Sequence, residues 1–170
     1  MGAIDTSSSS NGRGSDAWSR SWIHLGIDRR SAGYCRVMFD HPPTNAITAR
    51  TVMELGEIVE LINEDSDLNV VVFASANPGF YLTHGDTEID PGVWRDLLVG
   101  LSSAPVVSIA SIGGHVGGAG GEFVLACDLR FASRASTTLA AWLDEEIDRI
   151  ASRIAQFDHE AIARIKSSVG

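Results

Sequence analysis

Residues 105–133 read PVVSIASIGGHVGGAGGEFVLACDLRFAS. Pro105 opens an apolar run, VVSIASI, of strand length and without polar alternation, as suits a strand buried on both faces. Six of the nine residues from Gly113 to Gly121 are then glycine. Residues 123–126 continue a short helix begun among the glycines, and 129–132, after Asp128, form a further strand.

The flanks repeat this alternation. YCRVMF, residues 34–39, lies between Gly33 and Asp40-His41-Pro42-Pro43 and predicts a strand stopped by proline. Thr48 or Thr51 caps the helix that follows, with Glu54 three residues after Thr51 as in a capping box. Val52, Leu55, Val59 and Ile62 share one face of it. A polar break over 65–69 precedes the apolar run 70–74, a second doubly buried strand that completes a β-α-β unit. After a loop over 75–78, a helix is expected over about 93–101. Two helices close the chain. The first carries Leu143, Ile147, Ile150 and Ile154 at helical spacing; the second is capped by Asp158 and carries Ile162 and Ile165. There is no internal sequence repeat.

A chain of 170 residues suits one domain, and 44% hydrophobic with 21% charged residues excludes disordered, collagen-like and membrane classes. Thirteen basic against twenty-two acidic residues give a net charge of -9, which would repel a nucleic-acid backbone. Cys35 and Cys127 form no C-x-x-C pair and sit in apolar runs, so they read as small hydrophobes in a reducing, cytoplasmic compartment. Residues 1–20, rich in Ser, Gly and Asn with no apolar stretch, read as a disordered lead-in rather than a signal peptide.

Glycines between a buried strand and a helix let a ligand approach bare backbone and leave helix N-terminal N–H groups aimed at it. Close packing of helix on strand demands the same small residues. Gly113 and Gly118 have P-loop spacing, but Ala119 stands where that loop needs Lys, so phosphate would lack its cation. No G-x-G-x-x-G exists, because Phe123 occupies the third position, and no G-x-S-x-G offers a nucleophilic serine. Glu122 follows this donor segment at the start of an apolar helix. It reads either as a proton carrier or as a first-turn glutamate favoured by the helix dipole.

The order strand, HPPTNAI, amphipathic helix, VVVFA, a loop ending FYLTHGD, helix, then the glycine segment joined to EFVLACD resembles the crotonase family of enoyl-CoA hydratases and isomerases. The likeness runs from about residue 23 to 136, and the last thirty or so residues are similar to that family's C-terminal helices. It implies an α/β fold of the crotonase-like (ClpP/crotonase) type. A ββα superhelix core would span 21–137 and C-terminal helices 138–170, shortened by an internal segment missing after about residue 136.

The resemblance also implies an acyl-CoA thioester as substrate, with coenzyme A entering only as part of it and no metal or other cofactor. Two backbone N–H groups, those of Gly85 and Ala119, would hold the enolate oxygen, and Glu122 would move the proton. Residues Pro43, Thr44 and Ala46, together with Thr83, would lie against the CoA adenine. His84 stands where the family usually has glycine, and reads either as a side chain reaching the substrate as a proton carrier or as a solvent-facing loop histidine; Ala119 also replaces a glycine. A positive φ at either would cost roughly 1 kcal/mol or more.

After Ser136 the family normally continues for several dozen residues, including a second catalytic glutamate and a P-G-x-G-G stretch, whereas this chain passes through Thr137-Thr138-Leu139 to its final helices. The resemblance therefore implies an enzyme of the hydratase/isomerase type in which the missing second carboxylate weighs against water addition and toward double-bond isomerisation. It also implies a homo-oligomer with weakened assembly, or a scaffold or acyl-CoA-binding subunit without turnover.

His84, Asp86, Glu88 and Asp90 alternate and, if extended, could chelate a divalent metal, although an acidic loop is the commoner meaning. Trp18, Trp22, Trp94 and Trp142 read as packing residues, and Asp144, Glu145 and Glu146 as a helix start needing no partner.

Overall fold

In a computed structural model, which describes residues 18–83, 89–133 and 137–169, the apolar runs become adjacent strands. Strands β1 (Leu25–Ser31) and β2 (Tyr34–Phe39) form an antiparallel hairpin. Parallel to β2 follow β3 (Val70–Ser75), β5 (Val107–Ile112) and β7 (Leu129–Ala132), so the five-stranded sheet is ordered β1-β2-β3-β5-β7. A separate parallel pair joins β4 (Phe80–Leu82) to β6 (His115–Val116). Helix α1 (Ala49–Glu64) links β2 to β3, α2 (Pro91–Ser103) precedes β5, and α3 (Ala119–Ala126) lies between β6 and β7. Helices α4 (Thr137–Ile154) and α5 (His159–Val169) end the chain.

Both faces of β3 are covered, which is why its sequence does not alternate. On one face Phe39, Phe73, Tyr81 and Phe123 interlock with ring centroids 5.0 to 6.2 Å apart, three of the pairs edge to face. On the other, Tyr34, Val70, Val72 and Ile109 pack against Leu143, Ile147 and Ala151 of α4. The two cysteines are buried here as small hydrophobes, and burial pushes each thiol up to about 12.

Helix α1 buries the predicted stripe of Val52, Leu55, Val59 and Ile62. Its capping box, however, is Thr48 with Thr51, each hydroxyl accepting from the other's backbone N–H. Glu54 works elsewhere. Its oxygens accept the N–H groups of Ile23 and His24, both at 3.0 Å, and Arg50 at 2.7 Å, pinning the segment before β1. Burial alone would raise its carboxyl; these donors outweigh that and hold it below its ordinary value.

Three expectations change. Helix α4 begins at Thr137, so Asp144 lies in its third turn and does have partners: Arg36 at 2.6 Å and Ser111 at 3.1 Å. Arg36, 7% exposed, also binds Asp148, which accepts from the Tyr34 hydroxyl as well. Trp18, inside the stretch read as a lead-in, is 6% exposed and donates to Asp65 at 3.0 Å. Trp142, expected to pack, is 60% exposed. Among the described residues no helix is long and apolar enough to cross a membrane.

The turn after β2 is knotted by Asn45. It is 1% exposed with φ of 52°, a left-handed conformation that asparagine tolerates best among residues with a side chain. Its amide nitrogen faces Ser75 Oγ at 2.8 Å, the Tyr81 carbonyl at 3.1 Å and the Phe80 carbonyl at 3.2 Å, and its Oδ1 accepts the His41 N–H at 2.8 Å. One side chain thus joins the ends of β2 and β3 to β4. Asn45→Ala is expected to cost about 3 kcal/mol in urea unfolding, from stranded buried carbonyls and a strained φ. Asn45→Gly, which relieves the φ, should recover about 1 kcal/mol of that loss.

Candidate functional site

The glycine segment serves two purposes. A side chain at Gly114 would begin 2.5 Å from the Phe80 backbone nitrogen, and one at Gly120 would begin 2.4 Å from the Leu82 carbonyl oxygen. Those two are packing glycines that bring β6 and α3 onto β4. Gly118 is the N-cap of α3 and has φ of 53°, so it supplies the left-handed turn. A methyl at Gly113 or at Gly121 would point into open space, with no neighbouring atom within 4 Å.

Because Gly118 takes the positive φ, Ala119 sits in the helix without that strain, which removes the cost expected for it. The cap offers no side-chain hydrogen bond, and the N–H groups of Gly120 and Gly121 are spent on the carbonyls of Gly117 and Gly118. The N–H of Ala119 has no hydrogen-bond partner among the described residues. Among the described residues it is an unpaired donor at the positive end of a helix dipole.

Glu122 lies one turn on, exposed, with the indole N–H of Trp94 donating to its Oε2 at 2.8 Å. Phe123 beside it is fully buried in the aromatic cluster, so the backbone under the carboxylate is anchored from the opposite side.

Four of the five expected substrate-contact residues, Pro43, Thr44, Ala46 and Thr83, come together at one place. Ala46 and Thr83 form a parallel bridge, and the Thr83 N–H donates to the Asn45 carbonyl at 3.2 Å. Pro43 and Thr44 lie on the same turn, Pro43 exposed. One residue back from Thr83, the Leu82 carbonyl accepts the Gly117 N–H at 3.0 Å, tying this turn to the glycine segment. His84 and Gly85 lie outside the described residues, as do Asp86 and Glu88 of the alternating acidic stretch. Asp90 is the N-cap of α2, accepting from the Gly92 N–H at 2.7 Å.

Behind the turn, the rings of His24 and His41 stack at 3.7 Å, and His41 Nδ1 lies 3.0 Å from the Ala46 carbonyl. His24 meets the Thr51 hydroxyl at 2.9 Å. Burial, then the neighbouring His41, lowers the pKa of His24 below its usual 6.5, with Arg50 adding to this and Glu54 opposing it.

The family model for enoyl-CoA hydratase/isomerase matches residues 29–143. The chain belongs to the enoyl-CoA hydratase/isomerase family. It is 32% identical over 113 residues to mouse enoyl-CoA hydratase domain-containing protein 2, mitochondrial, a match covering 59% of this chain and 38% of the relative. The chain thus spans less than half the length of the curated relatives it matches. The enoyl-CoA hydratase structure from Bacillus anthracis aligns over 86% of this chain and 82% of its own, with TM-score 0.78 at 17% identity. That from Mycobacterium smegmatis aligns over 85% and 81%, with TM-score 0.75 at 20% identity. At these identities the two structures speak for the fold, which is crotonase-like. The curated names read mitochondrial, unlike the cytoplasmic compartment expected from the cysteines.

Two residues of this family site escaped the sequence. Asn45 stands inside HPPTNAI, where asparagine after two prolines is a signal for a left-handed turn. Trp94 reads as core, yet a buried indole N–H usually finds an acceptor, and Glu122 is the one it finds.

Gly120→Ala is expected to destabilise by about 2 kcal/mol or more, since its methyl meets backbone rather than a movable side chain. Gly121→Ala, with open space and a helical position, should instead stabilise by up to about 1 kcal/mol. Equal behaviour in thermal melts would contradict the packing described. The lowered His24 value has a sign as well. The unfolded chain takes up this proton first, so the contribution is complete above about pH 6.5 and falls as pH drops through the folded value. Melting followed from pH 7.5 to 5 should show the decline, and His24→Phe should flatten it.

Proposed function

We propose that the chain binds an acyl-CoA thioester and stabilises its enolate, with the N–H groups of Ala119 and Gly85 on the thioester oxygen and Glu122 moving the proton. The observation that carries this is the Ala119 N–H, unspent at the start of α3, with the Glu122 carboxylate one turn away on the same short helix. Support for the second donor is indirect. Residues 84–88 leave directly from Thr83, whose neighbour Leu82 is in backbone contact with Gly117 and Gly120.

On a 3-enoyl-CoA, Glu122 would take a proton from C2, and the bonding pair would spread onto the thioester oxygen held by the amides. Returning the proton to C4 gives the 2-enoyl isomer, with no atom gained or lost. Each fixed backbone donor can lower such a barrier by about 3 kcal/mol. One carboxylate suffices for this shuttle, whereas adding water across a double bond as in the hydratase scheme uses two. Isomerisation is therefore favoured over hydration. Coenzyme A enters as part of the substrate, and the turn of Pro43, Thr44, Ala46 and Thr83 would receive its adenine. Assembly is expected to be a weakened homo-oligomer.

The second reading is a scaffold or acyl-CoA-binding subunit without turnover. What favours it is the step from Ser133 to α4 at Thr137, which leaves no room for a segment bearing a second carboxylate.

Incubation with a 3-enoyl-CoA and with crotonyl-CoA separates these outcomes: double-bond migration, water addition, or neither. Glu122→Gln is expected to reduce turnover at least 100-fold while unfolding within about 0.5 kcal/mol of the parent. An unchanged rate would show that another group carries the proton.

A further inference from the structure

We propose that Trp94 is a positioning residue for proton transfer: its indole fixes Oε2 of Glu122, so that the proton is taken up and given back by Oε1 alone. This deepens the function proposed above and rests on Glu122 being the proton carrier.

The bond is 2.8 Å long, and Trp94 itself is 6% exposed, at the edge of the aromatic cluster with its ring 6.5 Å from that of Phe123. The indole cannot turn away without leaving the core. Glu122, by contrast, is exposed and would otherwise sample many rotamers. A rigid donor against a mobile acceptor gives the carboxylate one preferred orientation.

The chemistry of the donor then decides which oxygen works. An indole N–H only donates, so Oε2 must accept whether the carboxyl is ionised or protonated. A proton on Oε2 would compete with that bond, whereas Oε1 has no hydrogen-bond partner among the described residues. Oε1 is thus the atom that is free to take a proton from one carbon and return it to another on the same face of the substrate.

The placement also connects the two halves of the site. Trp94 stands in the first turn of α2, whose N-cap Asp90 follows Gly85 by five positions in the sequence; Glu122 stands on the helix whose first residue is Ala119. The bond therefore bridges α2 and the helix that begins at the proposed Ala119 donor.

The test has a spectroscopic arm and a kinetic arm. In protein labelled with nitrogen-15, the four tryptophans give four indole signals, and the one absent in Trp94→Phe belongs to Trp94. In Glu122→Ala, which removes the acceptor, this signal should move while the other three stay; if it stays in place, the bond does not exist and the proposal is overturned. This arm uses a chain with Trp94 intact, so it does not depend on how well Trp94→Phe folds.

In isomerase assays Trp94→Phe should lower kcat about tenfold with KM within about twofold. Combined with Glu122→Gln, it should add nothing to the loss already caused by Glu122→Gln. A further tenfold loss in that background would mean that Trp94 acts through the fold in general, and would also overturn the proposal. If the parent turns over neither substrate, the catalytic reading fails separately, and the positioning role for transfer falls with it even where the indole signal reports the bond.

Discussion

The carbonyl of Leu82 is the point on which the geometry depends. It accepts the N–H of Gly117 and lies so close to Gly120 that a methyl there would begin 2.4 Å from it. Backbone against backbone at this distance is possible only because the facing residue has no side chain. The contact brings the end of β4 onto the first turn of α3. Everything proposed for the site follows from that closeness, since Thr83 precedes Gly85 by two positions on one side and Ala119 opens the helix on the other. The glycines here therefore do two things: Gly114 and Gly120 allow close packing, and Gly118 provides the turn after which the Ala119 N–H has no partner among the described residues.

A second constraint closes the other face of the sheet. Parallel strands buried on both sides need a cover, and α4 supplies it with Leu143, Ile147 and Ala151. Arg36 on β2 would be a costly buried cation without partners, and Asp144 and Asp148 at 2.6 and 2.8 Å meet it from the helix. Farther along, Asn69 donates to the carbonyls of Ala155 and Phe157 beyond the end of α4, and Lys166 on α5 binds both Asp128 and the Val106 carbonyl. The terminal helices are thus polar-anchored at several points on the sheet, so a shortened chain still covers the face on which α4 lies.

What could be read in the sequence follows from how local its cause is. β2 and β7 lie on the residues predicted, and α1 carries the predicted stripe, because strand runs and helical spacing are properties of a few consecutive residues. β4 and β6 are three and two residues long and are defined by each other, 33 or more positions apart, so no local pattern marks them. The roles of Glu54, Asp144 and Asn45 were missed for a like reason. Each side chain bonds to a segment distant in sequence, and its meaning as a cap, helix start or turn residue was set by neighbours alone. Of the candidate site, motif order pointed to Glu122 and to the turn at Ala46 and Thr83, which the structure joins by a backbone bridge, whereas nothing local pointed to the tryptophan that holds the carboxylate.

The division between main chain and side chain explains which substitutions this site tolerates. An oxyanion donor supplied by the backbone asks only that its residue adopt the right φ, and in α3 the demanding φ of 53° belongs to Gly118. Ala119 can therefore stand where the family commonly has glycine without disturbing the amide it contributes, and helix propensity then favours alanine over glycine. The carboxylate is different. Its oxygens lie at the end of a flexible side chain, so their position must be fixed by a partner, and a partner of fixed orientation has to come from the core. Trp94, anchored in apolar packing yet carrying one polar atom, meets that requirement in a way that phenylalanine or leucine could not. The Ala119 amide, set at the start of α3 by the turn at Gly118, and the Glu122 carboxylate, held by Trp94, thus lie on one short helix that Phe123 packs onto the aromatic cluster.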